Sequence, residues 1–529
     1  AWLDSGQTVD KYNQNFTGSL AVDYQIIDGL KATVSGSYVN DDQHFKAFVM
    51  KLDTDPAQAS RPNSLEERFT NWSRYNFDAL LNYDKTFGNH GLKVMLGYHA
   101  EKYDVRYNKE YRENFPNNEL DDMNAGATAT QTNEGFTRKL NMLSYFGRVN
   151  YDYAGKYLLE ANFRSDASSR FAKGSRWSTF PSVAAAWRIS QESFMKGIRS
   201  WLDDLKIRAS WGQTGSATGL GLYPSYTLIS TGGLILNNTY QQIASLKTIG
   251  NQELTWEHSD MLNFGLDVKV LNSRLNFTGE YYIKNTKDIL LEMPVPLEYG
   301  FGKPNMNVGE VRNKGWELSL SWNDRINDFG YSISGNLSDN RNEVVDLGDT
   351  GPWKGSNTYT EVGLPFNSIY GYESMGLFQS DEEVANAPFQ NSNTAAGDIR
   401  YKNQNGDDKI DANDRVVIGD PNPHFLYGVN LGFDYKNFDL NMFFQGIGQK
   451  DRVIMDNFVR PFYDSSIFEH HLDYWTPENT GAKYPRILNK DDGTHNYQQS
   501  DYWMINAGYF RMKNLQIGYT IPREILRPA

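Results

Sequence analysis

No cysteine occurs in the 529 residues. That excludes a disulfide framework, a thiol nucleophile and a thiolate metal site. Long apolar runs are missing too: no stretch of eighteen or more hydrophobic residues is present, so no transmembrane helix is encoded. Basic charge is scarce, with 52 Lys and Arg against 65 Asp and Glu and a formal net charge of -13. The cations are scattered rather than clustered, which argues against a nucleic-acid stripe and against a polybasic membrane anchor. There is no nucleophile elbow, phosphate-binding glycine loop or zinc-protease motif.

What is abundant is aromatic. The chain holds 33 Tyr, 29 Phe and 12 Trp while only 39% of its residues are hydrophobic. Many aromatics in a hydrophilic chain fit an apolar outer band, aromatic girdles and a wet interior. The hydrophobic residues recur with period two in about fifteen segments. In Leu30–Tyr38, Leu30, Ala32, Val34, Gly36 and Tyr38 alternate with Lys31, Thr33, Ser35 and Ser37. Tyr145, Gly147, Val149, Tyr151 and Tyr153 alternate with Arg148, Asn150 and Asp152, and Trp316, Leu318, Leu320 and Trp322 with Glu317, Ser319 and Ser321. Such alternation predicts half-buried or lipid-facing strands.

The connections alternate in length as well. Gly-, Asn- and Asp-rich turns are expected at Asp28-Gly29, Phe87–Gly91, Ala154–Lys156, Asn272–Ser273, Asn323–Gly330 and Lys436–Asn437. Long polar stretches lie between them, at Asn40–Asn71, Tyr107–Asn141, Ser165–Phe180, Gln213–Ser259, Asn285–Asn313, Asp339–His424 and Gly446–Gly508. Ser190–Asp204 reads as a short amphipathic helix on the short-turn side, with Phe194, Met195, Ile198, Trp201 and Leu202 on one face. Short turns at one end and long loops at the other are the mark of an outer-membrane β-barrel. Period two alone also fits a soluble sandwich. Single-chain bacterial barrels close with an even strand number. An odd count therefore predicts an internal piece of a larger protein.

Several segments carry more than pattern. They are Tyr145–Tyr157, Phe163–Phe171, Phe180–Arg188, Leu205–Gly215, Asn307–Leu318 and Tyr509–Pro522. In order, and over nearly the whole chain, they resemble the SusC/RagA-like TonB-dependent transporters of Bacteroidetes outer membranes. The resemblance implies an all-β fold, a transmembrane antiparallel β-barrel of 22 strands plugged by an N-terminal domain. Residues 1–529 would then be a partial barrel without the plug, the N-terminal extension, the leading strands or the final strands. It further implies import of oligosaccharides or oligopeptides, driven through TonB and assisted by a SusD-like surface lipoprotein as lid. It implies no catalysis. A secreted all-β glycan-binding protein or hydrolase, and an adhesive barrel without a lid, remain as alternatives.

Three sets of residues are candidates for function. Asn403, Asn405, Asp407, Lys409, Asp411 and Asp414 follow the 1-3-5-7-9-12 spacing of a calcium loop, Lys409 through its carbonyl. Asn at position 1 and Asp408 rather than Gly at position 6 depart from that pattern, and an Asn/Asp/Gly turn without an ion has the same composition. No cofactor is required; calcium is the one ion the sequence suggests. Trp353, Tyr359, Tyr370, Tyr372, Phe378, Trp475 and Trp503 are loop aromatics that either stack on sugar rings or pack the loops together. Arg148, Glu160, Arg164, Arg188, Lys206 and Arg208 fall on the lumen-facing parity, either along a substrate path or in cross-strand charge pairs. His470-His471 lacks a third metal ligand at a supporting spacing and reads as loop surface.

Overall fold

The computed structural model describes residues 6–51, 62–237, 239–292, 298, 300, 302–455, 458–462, 467–488 and 496–522. The strands are, in order, β1 (Gln7–Ile27), β2 (Leu30–Val49), β3 (Ser64–Phe87), β4 (His90–Glu113), β5 (Thr132–Tyr153), β6 (Tyr157–Ser168), β7 (Trp177–Arg188) and β8 (Leu202–Ser216). Then come β9 (Leu228–Leu236), β10 (Thr239–Thr248), β11 (Glu257–Val270), β12 (Leu275–Lys287), β13 (Leu290–Glu292), β14 (Asn305–Asn307), β15 (Glu310–Ile326) and β16 (Phe329–Asp346). The remainder are β17 (Trp353–Lys354), β18 (Thr358–Thr360), β19 (Ser368–Tyr372), β20 (Ser374–Leu377), β21 (Ile399–Tyr401), β22 (Arg415–Gly419), β23 (His424–Tyr435), β24 (Phe438–Gln449), β25 (Asp451–Val453), β26 (Met504–Asn506) and β27 (Tyr509–Tyr519). Fifteen of them form one sheet in the order β1 to β8, β11, β12, β15, β16, β23, β24, β27. Short connections alternate with long ones, except that 169–176 between β6 and β7 is shorter than 189–201 between β7 and β8.

The short turns are built from residues that tolerate a left-handed backbone. Gly29 sits at φ +81° against the Asp84 carbonyl, and Asn327 and Lys436 turn the β15–β16 and β23–β24 hairpins at φ +53°. The β15–β16 turn is tighter than the sequence suggests: it needs only 327–328 because Ile326 already pairs with Phe329.

The chain divides into two compact units. The first comprises 1–185, 212–258 and 290–307. Its apolar parity is exposed: Phe77, Leu81, Leu96, Tyr145, Val149 and Phe163 share one face of the sheet with no protein over them. A secreted sandwich would bury that face, so this alternative is set aside. Aromatics form two rows on it. One is made of two runs, Phe16, Tyr38 and Tyr75, and Phe77, Tyr98, Tyr145 and Trp177, with each ring within about 6 Å of the next in its run. The other, beside the short turns, joins His90, Tyr153 and Tyr157. Tyr145 and Tyr153 are eight residues apart, roughly 20 Å across a tilted strand, which approaches the height of a barrel's apolar band.

Much of the expected loops Asn40–Asn71 and Tyr107–Asn141 is strand. β3 and β4 have 24 residues each, against the roughly 9–11 that cross a bilayer. Beyond the aromatic row the period fades because both faces are polar, and cross-strand contacts hold the extension instead. His44 stacks on Phe69 at 4.4 Å, Arg68 lies 4.6 Å from the Phe45 ring, and Lys109 pairs with Glu66 at 2.9 Å. Phe48, Leu65 and Phe115 close it with a small buried core.

The second unit comprises 186–211, 259–289 and 308–529. Ser190–Asp204 is not an amphipathic α-helix. It forms 3-10 turns at Ile189–Gln191 and Ser193–Ile198, with Phe194 and Trp201 exposed and Leu202 buried at the start of β8. With three residues per turn, the spacing that would gather those side chains on one stripe is lost.

Candidate functional site

The longest connection of the second unit runs from β16 to β23 and packs against the connection from β24 to β27. A buried histidine clasps its base. His424 lies with Nδ1 2.7 Å from Asp339 and Nε2 3.2 Å from Asp420. Above it, β17, β18, β19 and β22 form a small sheet, and β20 pairs with β21. Tyr372, Ile399, Tyr401, Val459, Tyr484, Tyr497 and Trp503 make the core beneath. Burial pushes the Tyr401 and Tyr484 hydroxyls well above the usual tyrosine range and that of Tyr502 up to about 12, so all three stay neutral, and Tyr484 and Tyr502 donate to the Phe458 and Lys483 carbonyls.

An ion pair locks the two connections together. Arg486 donates to both oxygens of buried Asp398 at 2.7 and 2.9 Å, and Asn496 Nδ2 adds a third bond at 3.0 Å. Asn496 Oδ1 in turn accepts from the Ile399 backbone N–H at 2.8 Å.

The candidate aromatics fall mostly inside this packing. Tyr370, Tyr372, Phe378, Trp475 and Trp503 are buried; Trp353 and Tyr359 are half-buried. Trp503 donates to the Asn496 carbonyl, Trp475 to Gln379, and Tyr359 stacks on Tyr370 at 5.0 Å. Of the two roles open to them, packing the loops is the one this geometry serves. The side chains presented outward are different ones: Met375, Phe389, Phe458, Phe468 and Leu472. No motif distinguishes them, since an exposed and a buried Phe in a nonperiodic loop have the same sequence signal.

The two histidines divide. His470 is exposed, but His471 is fully buried, contrary to the surface expected for both. They lie in a 3-10 turn, Glu469–Leu472, rather than a strand, so both Nε2 atoms reach the Phe458 carbonyl, at 2.8 and 3.1 Å. Burial lowers the His471 pKa.

The 403–414 loop is a ladder of side-chain turns. Asn403, Asn405, Asp407 and Asp411 each accept a backbone N–H from two or three residues onward. Buried Asp414 accepts from Gln404 and Asp411, both at 2.8 Å, and so closes the loop. Among the described residues no three His, Asp or Glu side chains gather to hold a metal. The donor set fits a hard cation through amide and carbonyl oxygens as much as through carboxylates. Lys409 pairs with Asp411 at 2.6 Å, which occupies one of those carboxylates.

The candidate charges on the sheet are all engaged. Arg148 donates to Asn162, which donates to Glu160; Arg164 grips Asp166 at 2.8 and 3.0 Å. Arg188 reaches Asp204 at 3.4 Å. Lys206 and Arg208 share Asp267 at 3.0 and 3.2 Å, and Arg208 also binds Glu280 at 2.6 Å.

A sheet of this strand order, with its exposed apolar face and folded long connections, has known counterparts. The family model for TonB-dependent receptor-like β-barrels matches residues 1–525. The chain belongs to that family. TonB-dependent receptor P3 of Formosa agariphila is 30% identical over 535 residues, covering 98% of this chain and 52% of the relative. TonB-dependent receptor SusC of Bacteroides thetaiotaomicron is 27% identical, covering 97% and 50%. A structure of the RagAB peptide transporter superposes with a TM-score of 0.85 at 22% identity, over 98% of this chain and 56% of that one. This TonB-dependent barrel is therefore SusC/RagA-like and resides in the outer membrane. The chain spans about half the length of the curated relatives it matches.

Proposed function

We infer that the protein containing this barrel imports oligosaccharides or oligopeptides across the outer membrane. Transport is energised through TonB and assisted by a SusD-like lipoprotein over the long connections. The observation that carries the reading is the family match along 525 residues of a SusC-like chain. The exposed apolar face between two aromatic rows supports it, because that face suits lipid. Capture and gating would be its work, with no covalent step. The 403–414 loop takes calcium as a structural brace, supported by its oxygen spacing and its closed ladder of turns.

Uptake by cells carrying the intact gene, measured on a panel of oligosaccharides and oligopeptides, tests this. Gene deletion and collapse of the inner-membrane proton gradient should each abolish uptake of one class. Unchanged uptake of every compound after deletion would overturn it.

A further inference from the structure

The aromatic row nearer the long connections borders a hollow. Phe77, Tyr98, Tyr145 and Trp177 form its near edge. Two residues beyond Tyr98 and Tyr145 the large rings stop. Ala100 lies opposite Leu143 there, and Leu143 opposite Ala167. Side chains alternate along a strand, so these three share the apolar face of Tyr98 and Tyr145. They floor a cleft of about 590 Å³, walled by Tyr75 and Phe77 at one side and by Trp177 at the other. That volume suits a small-molecule ligand.

The far rim is basic. Lys102 stands opposite Tyr75 and Asn141, with Nζ 5.6 Å from the centre of the Tyr75 ring. Lys139, two residues beyond Asn141, is exposed on the same face. Arg176 lines the cleft beside Trp177; its Nε donates to the Phe171 carbonyl at 3.2 Å, and it meets no carboxylate among the described residues. Ser169 ties the rim together, since its N–H donates to the Asn141 carbonyl and its hydroxyl accepts from the Asn141 N–H, both at 3.0 Å. Two acids lie close. Asp104 is 3.0 Å from Lys102 and opposite Lys139 in register. Glu101 has the other parity and meets Arg74 at 3.9 Å on the opposite face. Lys102, Lys139 and Arg176 therefore outnumber Asp104 in a chain of net charge -13.

Depth and access narrow the occupant. Four residues of a tilted strand, from Tyr98 to Lys102, rise roughly 10 Å. Aromatic rings mark the edge of the hydrocarbon, so the cations stand at headgroup depth. Strands β3 to β7 are paired on both edges, which leaves no edge for a protein strand to extend. The cleft opens on the lipid-facing side and continues the apolar band, so its occupant is a lipid. An apolar floor under a basic rim selects an anionic one. Exposed Asn141 adds an amide that donates and accepts, which suits sugar hydroxyls.

We propose that this cleft binds a phosphorylated, acylated glycolipid of the outer leaflet. Its phosphate meets Lys102, Lys139 and Arg176, and the root of an acyl chain lies along Ala100, Leu143 and Ala167. The site needs residence in the outer membrane and is independent of what the protein imports.

The test uses the full-length protein, stripped of lipid by detergent exchange. It is titrated with monophosphoryl lipid A, phosphatidylethanolamine or phosphatidylglycerol, and bound lipid is counted by native mass spectrometry. Wild type should hold one lipid A roughly tenfold or more tightly than either phospholipid, and millimolar inorganic phosphate should not displace it. Lys102→Gln with Lys139→Gln should lose roughly tenfold or more of that affinity. Both side chains are exposed, so heat-modifiable migration of the barrel should be kept. Ala100→Trp, which fills the cleft from its floor, should weaken lipid A as well; if it does not fold, the Gln pair decides alone. Equal binding of lipid A and a phospholipid, displacement by inorganic phosphate, or wild-type affinity in the Gln pair would overturn the site. Each of these results leaves the importer reading to the uptake panel.

Discussion

Replacing Asp398 with Ala should open the folded connections without touching the barrel. Asp398 accepts two bonds from Arg486, one from Asn496 and one from the Ala395 N–H, and it is buried. Breaking a buried ion pair by deleting one partner costs about 3–5 kcal/mol, mostly from the charge left behind. Arg486 keeps 27% of its side chain in water and partly rehydrates, which favours the lower end, about 3 kcal/mol. Asn496 has no such escape, so its amide is stranded inside. The Ala395 N–H loses its acceptor outright, and because Asn496 holds the Ile399 N–H, the loosening of the connections is readable at Ile399. Hydrogen exchange on the detergent-solubilised full-length protein should show Ile399 protection falling roughly a hundredfold. Asp398→Asn, which keeps the shape but loses the charge, should fall between wild type and Ala. Strands β15, β16 and β24 should exchange as before. If Ile399 in the Ala variant exchanges within about threefold of wild type, the pair does not hold these connections together.

Glu66 gives a pH dependence outside the membrane band. Burial pushes its carboxyl up, but Lys109 and Arg68 outweigh that and hold it below the usual carboxylate value of 4.5. A depressed carboxylate stabilises above its unfolded pKa and stops doing so as pH falls through its folded one. Exchange at 64–68 and 108–112 should therefore rise below pH 4.5, and Glu66→Gln should flatten that rise; equal pH profiles would refute it. Arg208→Met strips Glu280 and Asp267 of a shared cation, although Lys206 still serves Asp267. A loss of about 1–3 kcal/mol should lower the temperature at which the barrel loses its folded migration, and Arg208→Lys should restore part of it. Calcium added to chelated protein should protect 403–414 from exchange, and Asp414→Ala should remove the effect; identical exchange with and without calcium would rule out the brace.

The sheet was legible because one physical demand governs it. Where a strand meets lipid on one side and water on the other, every second residue is constrained, as in Tyr145 to Tyr153. Where that demand stops, so does the signal. In 64–74 of β3 polar side chains occupy both faces, and strand pairing there rests on specific neighbours such as Lys109 with Glu66. These neighbours are set by register, which a single segment does not encode. The same limit applies to Ser190–Asp204, whose apolar spacing suited a helix until the tighter 3-10 turns scattered it.

The loop aromatics show why composition alone assigned them two roles. A long connection on a barrel has no sheet beneath it and must build its own core from what it carries. Tyr372, Tyr401, Tyr484, Tyr497 and Trp503 do so because each brings a large apolar body and a polar tip that can still find a partner. Trp503 reaches the Asn496 carbonyl, and Tyr484 reaches that of Phe458 at 2.6 Å. Aromatics spent on that core are withdrawn from ligand contact. The side chains left outside that core include Phe389, Phe458 and Phe468. Phe458 stacks on Phe468 at 5.6 Å, and Phe468 on His470 at 5.5 Å, an exposed run of near-parallel rings. Substituting that pair, rather than any buried Trp, is therefore the change that should weaken substrate capture while leaving Ile399 exchange at its wild-type rate.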